Sequence, residues 1–264
     1  MTDSAESPIR LERDGDVAVL VLDDPPLNLF DERTFAALRQ ARDEVASSDA
    51  RAMVFRAEGR VFTAGVDVGR VFKGVSGSTE GTRLAAAGIR ELQAFESLEI
   101  PTLALVHGLC LTAGLEAALG CDMIWAAADA RFGLVERVVG LTPFGGGVQR
   151  MAERAGPARA REFVMTGGLY GAEKMLEWGV INRVLPAEEL LGKGMKFGHE
   201  LAAGPTIAHA ATKRLVRAYL DGGIAAADAS VPGIAGPLFD SADLQNAVES
   251  FLTEGPGKAT FEGK

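Results

Sequence analysis

Short apolar runs, broken by glycine, proline and charged residues, divide the chain into strand-sized and helix-sized pieces. Residues 9–13 and the apolar run 17–22 read as two strands joined by the Asp14-Gly15 turn, a strong hairpin signal. Residues 52–57 alternate as a strand does, 102–106 (TLALV) and 121–126 (CDMIWA) are apolar enough for buried strands, and 179–184 (GVINRV) reads as a further strand. Helical stretches lie between them. Asp31 is placed to cap a helix over 34–47, and 84–98 carries Leu84, Ala87, Leu92, Phe95 and Leu98 at a partly helical period. Residues 152–168, with Pro157 at a junction, 171–178 and 188–203 follow as helices. After Pro205 the strand signals stop, and 206–220, 223–229 and 241–253 read as helices. That change sets a boundary near residue 204, between an α/β core over 1–203 and a helical C-terminal region over 204–264. Residues 1–8 are polar and read as a loose end.

The stretch 106–150 concentrates the candidate chemistry. Thr112-Ala113-Gly114 reads as a small-residue turn, and 115–119 as the opening of a helix whose free N–H groups face whatever lies in front of it. Glu116 falls in that first turn. Past the strand at 121–126, Phe132-Gly133-Leu134-Val135 leads to Glu136 and then to the glycine-rich run 140–147. Both glutamates have apolar sequence neighbours, which argues against an ordinary solvated face. A helix N-terminus aimed at a nascent anion, with two acids nearby, is what enolate chemistry needs. Upstream, VFTAGVDV at 61–68 reads as strand, tight turn and helix start. The loop 69–83, rich in Gly and Ser, reads either as a mobile cover beside a site or as a plain surface connection.

Three motifs in order, VFTAGVDV (61–68), GLCLTAGLE (108–116) and FGLVERVVGLTPFGGG (132–147), make the chain resemble the crotonase family, the enoyl-CoA hydratase/isomerase superfamily, over its whole length. The resemblance implies a crotonase (ClpP-like) ββα spiral core and a C-terminal helical region that packs on neighbouring subunits as a homotrimer or dimer of trimers. It implies catalysis by Glu116 and Glu136, an oxyanion hole from the backbone N–H groups of Val66 and Ala113, and acyl-CoA contacts at Leu27, Ala64, Asp67, Val68 and Val135. Asp67 reads most simply as a cap or turn residue, and Asn28 either as a turn residue holding its own backbone or as a ligand contact. Lys258 and Phe261 match a basic and an aromatic residue that relatives lay against the nucleotide of coenzyme A; the alternative is a frayed end. The chain departs from the family at Val66, commonly alanine, at Ala113, usually glycine, and at Val135, often proline. The implied reaction is addition of water to a trans-2-enoyl-CoA, with Glu116 orienting and activating water and Glu136 protonating C2. A Δ3,Δ2-enoyl-CoA isomerase and a catalytically silent acyl-CoA-binding subunit are the rival readings. No metal or redox cofactor is implied; coenzyme A enters with the substrate.

Composition narrows this little. With 264 residues, 47% hydrophobic and 24% charged, the chain is an ordinary globular sequence with ample material for a core. A net charge of −9 argues against a nucleic-acid surface. No apolar run is long enough for a membrane span, and the N-terminus lacks a signal pattern, so a cytoplasmic setting is expected. Cys110 and Cys121 form no C-x-x-C pair and read as buried reduced thiols. His107, His199 and His209 are dispersed without metal-ligand spacing, His107 and Asp122 read as structural, and Gly145-Gly146-Gly147 lacks the Lys and Ser/Thr of a phosphate loop.

Overall fold

The computed structural model describes residues 7–264, except for the side chains of 92–94; most of the expected loose N-terminal segment and the apolar position Leu92 therefore lie outside the described residues. Strands β1 (Ile9–Asp14) and β2 (Val17–Leu22) form the expected hairpin, antiparallel, with Gly15 at φ +58° in its two-residue turn. From β2 the main sheet grows in parallel through β3 (Ala52–Ala57), β4 (Thr102–Val106), β6 (Met123–Ala127) and β9 (Arg183–Leu185). A second, three-stranded sheet pairs β5 (Leu109–Leu111) with β7 (Arg131–Gly133), and β7 with β8 (Tyr170–Gly171).

The ββα repeat, invisible in the letters, is plain in this topology. β4 lies in the large sheet, β5 in the small one, and α4 (Thr112–Leu119) follows. β6 and β7 repeat the step before a 3-10 turn at Glu136–Val139 and helices α5 (Gly147–Ala155) and α6 (Pro157–Thr166). Strand periodicity divides the core between the two faces of the large sheet. Leu20, Leu22, Met53, Phe55, Ala104 and Val106 join the larger cluster, whereas Val17, Val19, Val21, Val54, Leu103 and Leu105 face the other way.

That second face is covered by α8 (Ala187–Ala202), which reaches it through two buried glycines. A Cβ on Gly194 would lie 2.5 Å from both δ-carbons of Leu105, and one on Gly198 would lie 2.9 Å from Val54 Cγ2. The remaining helices are α1 (Glu32–Ser47), α2 (Val68–Val71), α3 (Ser78–Glu96), α7 (Ala172–Glu177), α9 (Thr206–Ala235) and α10 (Ala242–Glu254). Asp31 caps α1 as expected, its side chain accepting the N–H groups of Arg33 and Thr34.

Several boundaries differ from the sequence reading. The segment 69–83 is not one loop: α2 occupies its start, and α3 opens at Ser78, supported by an i,i+3 ion pair between Glu80 and Arg83 at 2.7 Å. Gly/Ser composition concealed that helix. Thr112-Ala113-Gly114 is the first turn of α4 rather than a turn before it. The helix expected over 152–168 is two, broken at Gly156 (φ +84°), and α9 extends past Pro232 with its kink at Gly222-Gly223. The expected strand 179–184 begins only at Arg183; before it the Asn182 side chain accepts the Ile124 N–H at 2.8 Å. Only helices follow residue 204, as expected.

An alanine inside a helix ordinarily stabilises relative to glycine. Gly198→Ala is expected to do the opposite, by about 1–3 kcal/mol, because Val54 is stiff and has no room to retreat. Chemical denaturation of Gly198→Ala beside Gly192→Ala, where a Cβ meets nothing within 4 Å, checks this; equal or greater stability of Gly198→Ala contradicts the close packing of α8.

Candidate functional site

Three distant segments meet at one place. Residues 27–30 run beside 64–67, with Ala64 N–H donating to Leu27 O, Phe30 N–H to Gly65 O and Asp67 N–H to Phe30 O, each at 2.8–2.9 Å. The third segment is the start of α4. Thr63 ties the first two together: its hydroxyl donates to Asn28 O at 2.6 Å and accepts Gly65 N–H at 2.9 Å. Gly114 lets α4 approach, since a Cβ there would lie 2.0 Å from Thr63 Cγ2.

A cavity of about 490 Å³ opens in front of this junction. Of the predicted residues, Ala64, Val66, Val68, Ala113, Glu116, Val135 and Glu136 all line it. Phe72 and Phe144, in an edge contact at 6.2 Å, form part of the apolar wall. Leu27 and Asp67 do not line it. Leu27 is exposed, and Asp67 caps α2 by accepting Arg70 N–H at 3.0 Å. Asn28 is buried at φ +51°, and its amide donates to the carbonyls of Glu58, Val61 and Phe62, so it braces backbone. Within this chain Lys258 and Phe261 also stand apart from the cavity. Lys258 is exposed, and the Phe261 carbonyl accepts from Arg51 Nη1 at 2.7 Å.

Glu116 and Glu136 share the cavity but not their surroundings. Glu116 is buried on α4, and its Oε1 accepts two backbone N–H groups, from Gly145 at 2.8 Å and Gly147 at 2.9 Å. Burial pushes its carboxyl upward, while those two N–H groups and the charge of Arg150 act against the shift. Arg150 is itself fixed, with Nε 2.6 Å from Glu96. Glu136 opens the 3-10 turn, and its Oε2 is buried without a hydrogen-bond partner among the described residues. Burial, and to a smaller degree the charge of Glu116, raises its pKa to about 7; only its own backbone N–H opposes this. Both carboxyls are thus pushed toward the protonated form, and Glu116 alone has two partner N–H groups supporting its charge.

The backbone donors are less symmetrical than the sequence implied. Ala113 N–H stands in the first turn of α4, where no intrahelical acceptor exists. Val66 N–H instead donates to Thr112 Oγ1 at 3.1 Å. The motif TAGLE contained Thr112 but nothing in the letters distinguished it from a small turn residue. The Gly145 and Gly147 donors were likewise hidden in a run whose sequence offered only a negative result.

The structural readings of other candidates hold. His107 bonds Gly59 O at 3.0 Å, Asp122 accepts from Thr102 and Lys213, and both cysteines are buried and free. Among the described residues no group of three or more His, Cys, Asp or Glu is placed to hold a metal, and no helix is long and apolar enough to cross a membrane.

Burial of Glu136 carries a stability cost only where it is charged. Its folded pKa of about 7 exceeds the ordinary 4.5, so the native state binds more protons between these values and stability falls as pH rises through that window. Glu136→Gln is therefore expected to raise Tm relative to the parent at pH 8 and to leave it unchanged near pH 4, measured by scanning calorimetry. A gain of equal size at both pH values contradicts the assignment.

Comparison with known proteins gives the family and the fold. A family model described as enoyl-CoA hydratase/isomerase matches residues 12–264. A carnitinyl-CoA dehydratase of Salmonella enteritidis PT4 is 33% identical over 215 residues, 80% of each chain, and one of Salmonella arizonae is 34% identical over 218 residues, 81% of each. The crystal structure of an enoyl-CoA hydratase from Mycobacterium smegmatis superposes with a TM-score of 0.88 at 27% identity, covering 94% of this chain and 97% of that one. An enoyl-CoA hydratase from Bacillus anthracis gives 0.90 at 21% identity, covering 97% and 100%, a likeness of fold. The crotonase spiral expected from the motifs is the observed fold.

Proposed function

Because the chain belongs to the enoyl-CoA hydratase/isomerase family, we propose that it catalyses reversible addition of water to a trans-2-enoyl-CoA. The observation that carries this reading is the pair of carboxylates in one cavity, one held by two backbone N–H groups and the other with an unpartnered oxygen. Glu116, held by Gly145 and Gly147, is the acceptor that orients and deprotonates water for attack at C3. Glu136, with an unpartnered oxygen and a pKa of about 7, is the acid that delivers a proton to C2. Between these events the thioester oxygen carries enolate charge and is stabilised by donors at the start of α4. Run backwards, the same groups eliminate water, the direction named for the Salmonella relatives. The carnitinyl group itself is not carried over at this identity.

The reading requires no cofactor beyond the coenzyme A of the substrate. Exposed apolar side chains in the C-terminal helices, Ile224, Phe251 and Leu252 among them, support a homotrimer or dimer of trimers, with Lys258 and Phe261 available to a neighbour's nucleotide. Buried reduced thiols suit a cytoplasmic setting.

Loss of the conjugated-thioester absorbance of crotonyl-CoA and of a longer trans-2-enoyl-CoA, with identification of the product, tests the proposal. The parent is expected to form the 3-hydroxyacyl thioester, and Glu116→Gln and Glu136→Gln each to lose about 10²–10⁴-fold in kcat. Migration of the double bond without hydration selects the isomerase, and acyl-CoA binding without turnover selects a silent subunit. Hydration needs Glu136 protonated, so kcat is expected to fall as pH rises through about 7 and that limb to vanish from the residual activity of Glu136→Gln. A parent profile flat from pH 6 to 8 contradicts the role given to Glu136.

A further inference from the structure

Thr112 is held in a conformation its side chain disfavours. It sits at φ +45°, in the left-handed region where a β-branched residue is an outlier and glycine is at ease. Such strain persists where surrounding structure enforces it, and here it places a hydroxyl in the cavity wall. Thr112 is 7% exposed, and its Oγ1 lies so close over Gly65 that a Cβ there would come within 2.4 Å. The same oxygen receives the Val66 N–H at 3.1 Å. One of the two amides expected to polarise a thioester is therefore spent on a side chain.

A threonine hydroxyl that accepts one hydrogen bond still has its own proton to donate. Among the described residues no acceptor for that proton is present, and the group borders the cavity beside Ala113, Glu116 and Glu136. We propose that the Thr112 hydroxyl is the second oxyanion donor of this enzyme: it takes the place of the Val66 N–H and is polarised by it. The chain Val66 N–H to Thr112 O–H to thioester oxygen is a two-step donor in which the first bond strengthens the second. The proposal rests on the enolate reading above and changes which atoms stabilise it. Thr112 is thereby a catalytic residue, touching the oxygen on which charge develops.

The test uses the carbonyl stretch of carbon-13-labelled cinnamoyl-CoA bound to the full-length protein, read alongside kcat and KM for crotonyl-CoA. The stretch reports polarisation without turnover. Thr112→Val keeps the branched shape and covers the Val66 N–H with a methyl group; Thr112→Ser keeps the hydroxyl. The parent and Thr112→Ser are expected to shift the stretch to lower frequency. Thr112→Val is expected to lose most of the shift and about 10²–10³-fold in kcat, with KM within a few-fold. Thr112→Val with the parent's shift and kcat overturns the proposal, as does a folded Thr112→Ser that loses the shift. Thr112→Gly with a larger shift and higher kcat than the parent also overturns it, since the hydroxyl would then be a plug over the amide. A shift that depends on the hydroxyl, in a protein that hydrates no enoyl-CoA tried, upholds the donor and removes the hydratase reading.

Discussion

The site depends on the close approach of two strand-to-helix junctions, 63–66 and 111–114. Gly114 has no side chain because Thr63 occupies the space it would need, and Thr63 in turn bonds to both Asn28 O and Gly65 N–H. Bringing α4 this near is what sets the Thr112 hydroxyl over Gly65 and places Thr112, Ala113 and Glu116 in the cavity wall. A larger residue at 114 would push α4 away from Thr63, and with it Thr112 and Glu116. The geometry is therefore a property of backbone contact before it is a property of catalytic side chains.

The segments that meet there are far apart in the chain, and the cost of ordering them falls on the fold as a whole. Parallel pairing of β2, β3, β4 and β6 aligns their C-terminal ends, and the junctions after β3 and β4 emerge side by side. Asn28 completes the arrangement from a third segment. Its amide donates to three carbonyls in the Glu58–Phe62 turn, of which that of Phe62 is buried. One polar side chain thus serves where a regular strand would have supplied ladder hydrogen bonds.

Much of this was legible before any coordinates. Apolar runs placed the large-sheet strands β2, β4 and β6 because strands buried on both faces must be apolar at nearly every position, alternation placed β3, and Asp31 marked the start of α1 as a cap. The two glutamates stood out by motif position, with apolar neighbours arguing against a solvated face, and both line the cavity. What escaped was set by long-range packing. The opening of α3 at Ser78 lay within a Gly/Ser composition that speaks locally for a loop, and its helix relies on packing that includes Arg39–Glu91 across to α1. Leu27 was assigned to the ligand from motif position, yet the Ala64 N–H bonds its backbone carbonyl and leaves the side chain outside the cavity. The placement of the Thr112 hydroxyl follows from a backbone angle, and no residue letter encodes one.

The same holds for the different surroundings of the two glutamates. Burial raises both carboxyls, so depth alone gives no reason for one to act as base and the other as acid. The difference comes from the glycine run after Glu136. Gly146 takes φ +102°, which turns the flanking amides of Gly145 and Gly147 onto a single oxygen of Glu116. Gly147 must itself lack a side chain, since a Cβ would lie 2.9 Å from Glu116 Cγ. Glu136 precedes the run in sequence, yet only its backbone carbonyl accepts from it, from Gly140 and Leu141, and its carboxylate does not. The loop binds a carboxylate by backbone N–H groups that glycine allows to converge, and so gives Glu116 a hydrogen-bonded support that the Glu136 carboxylate does not receive from it.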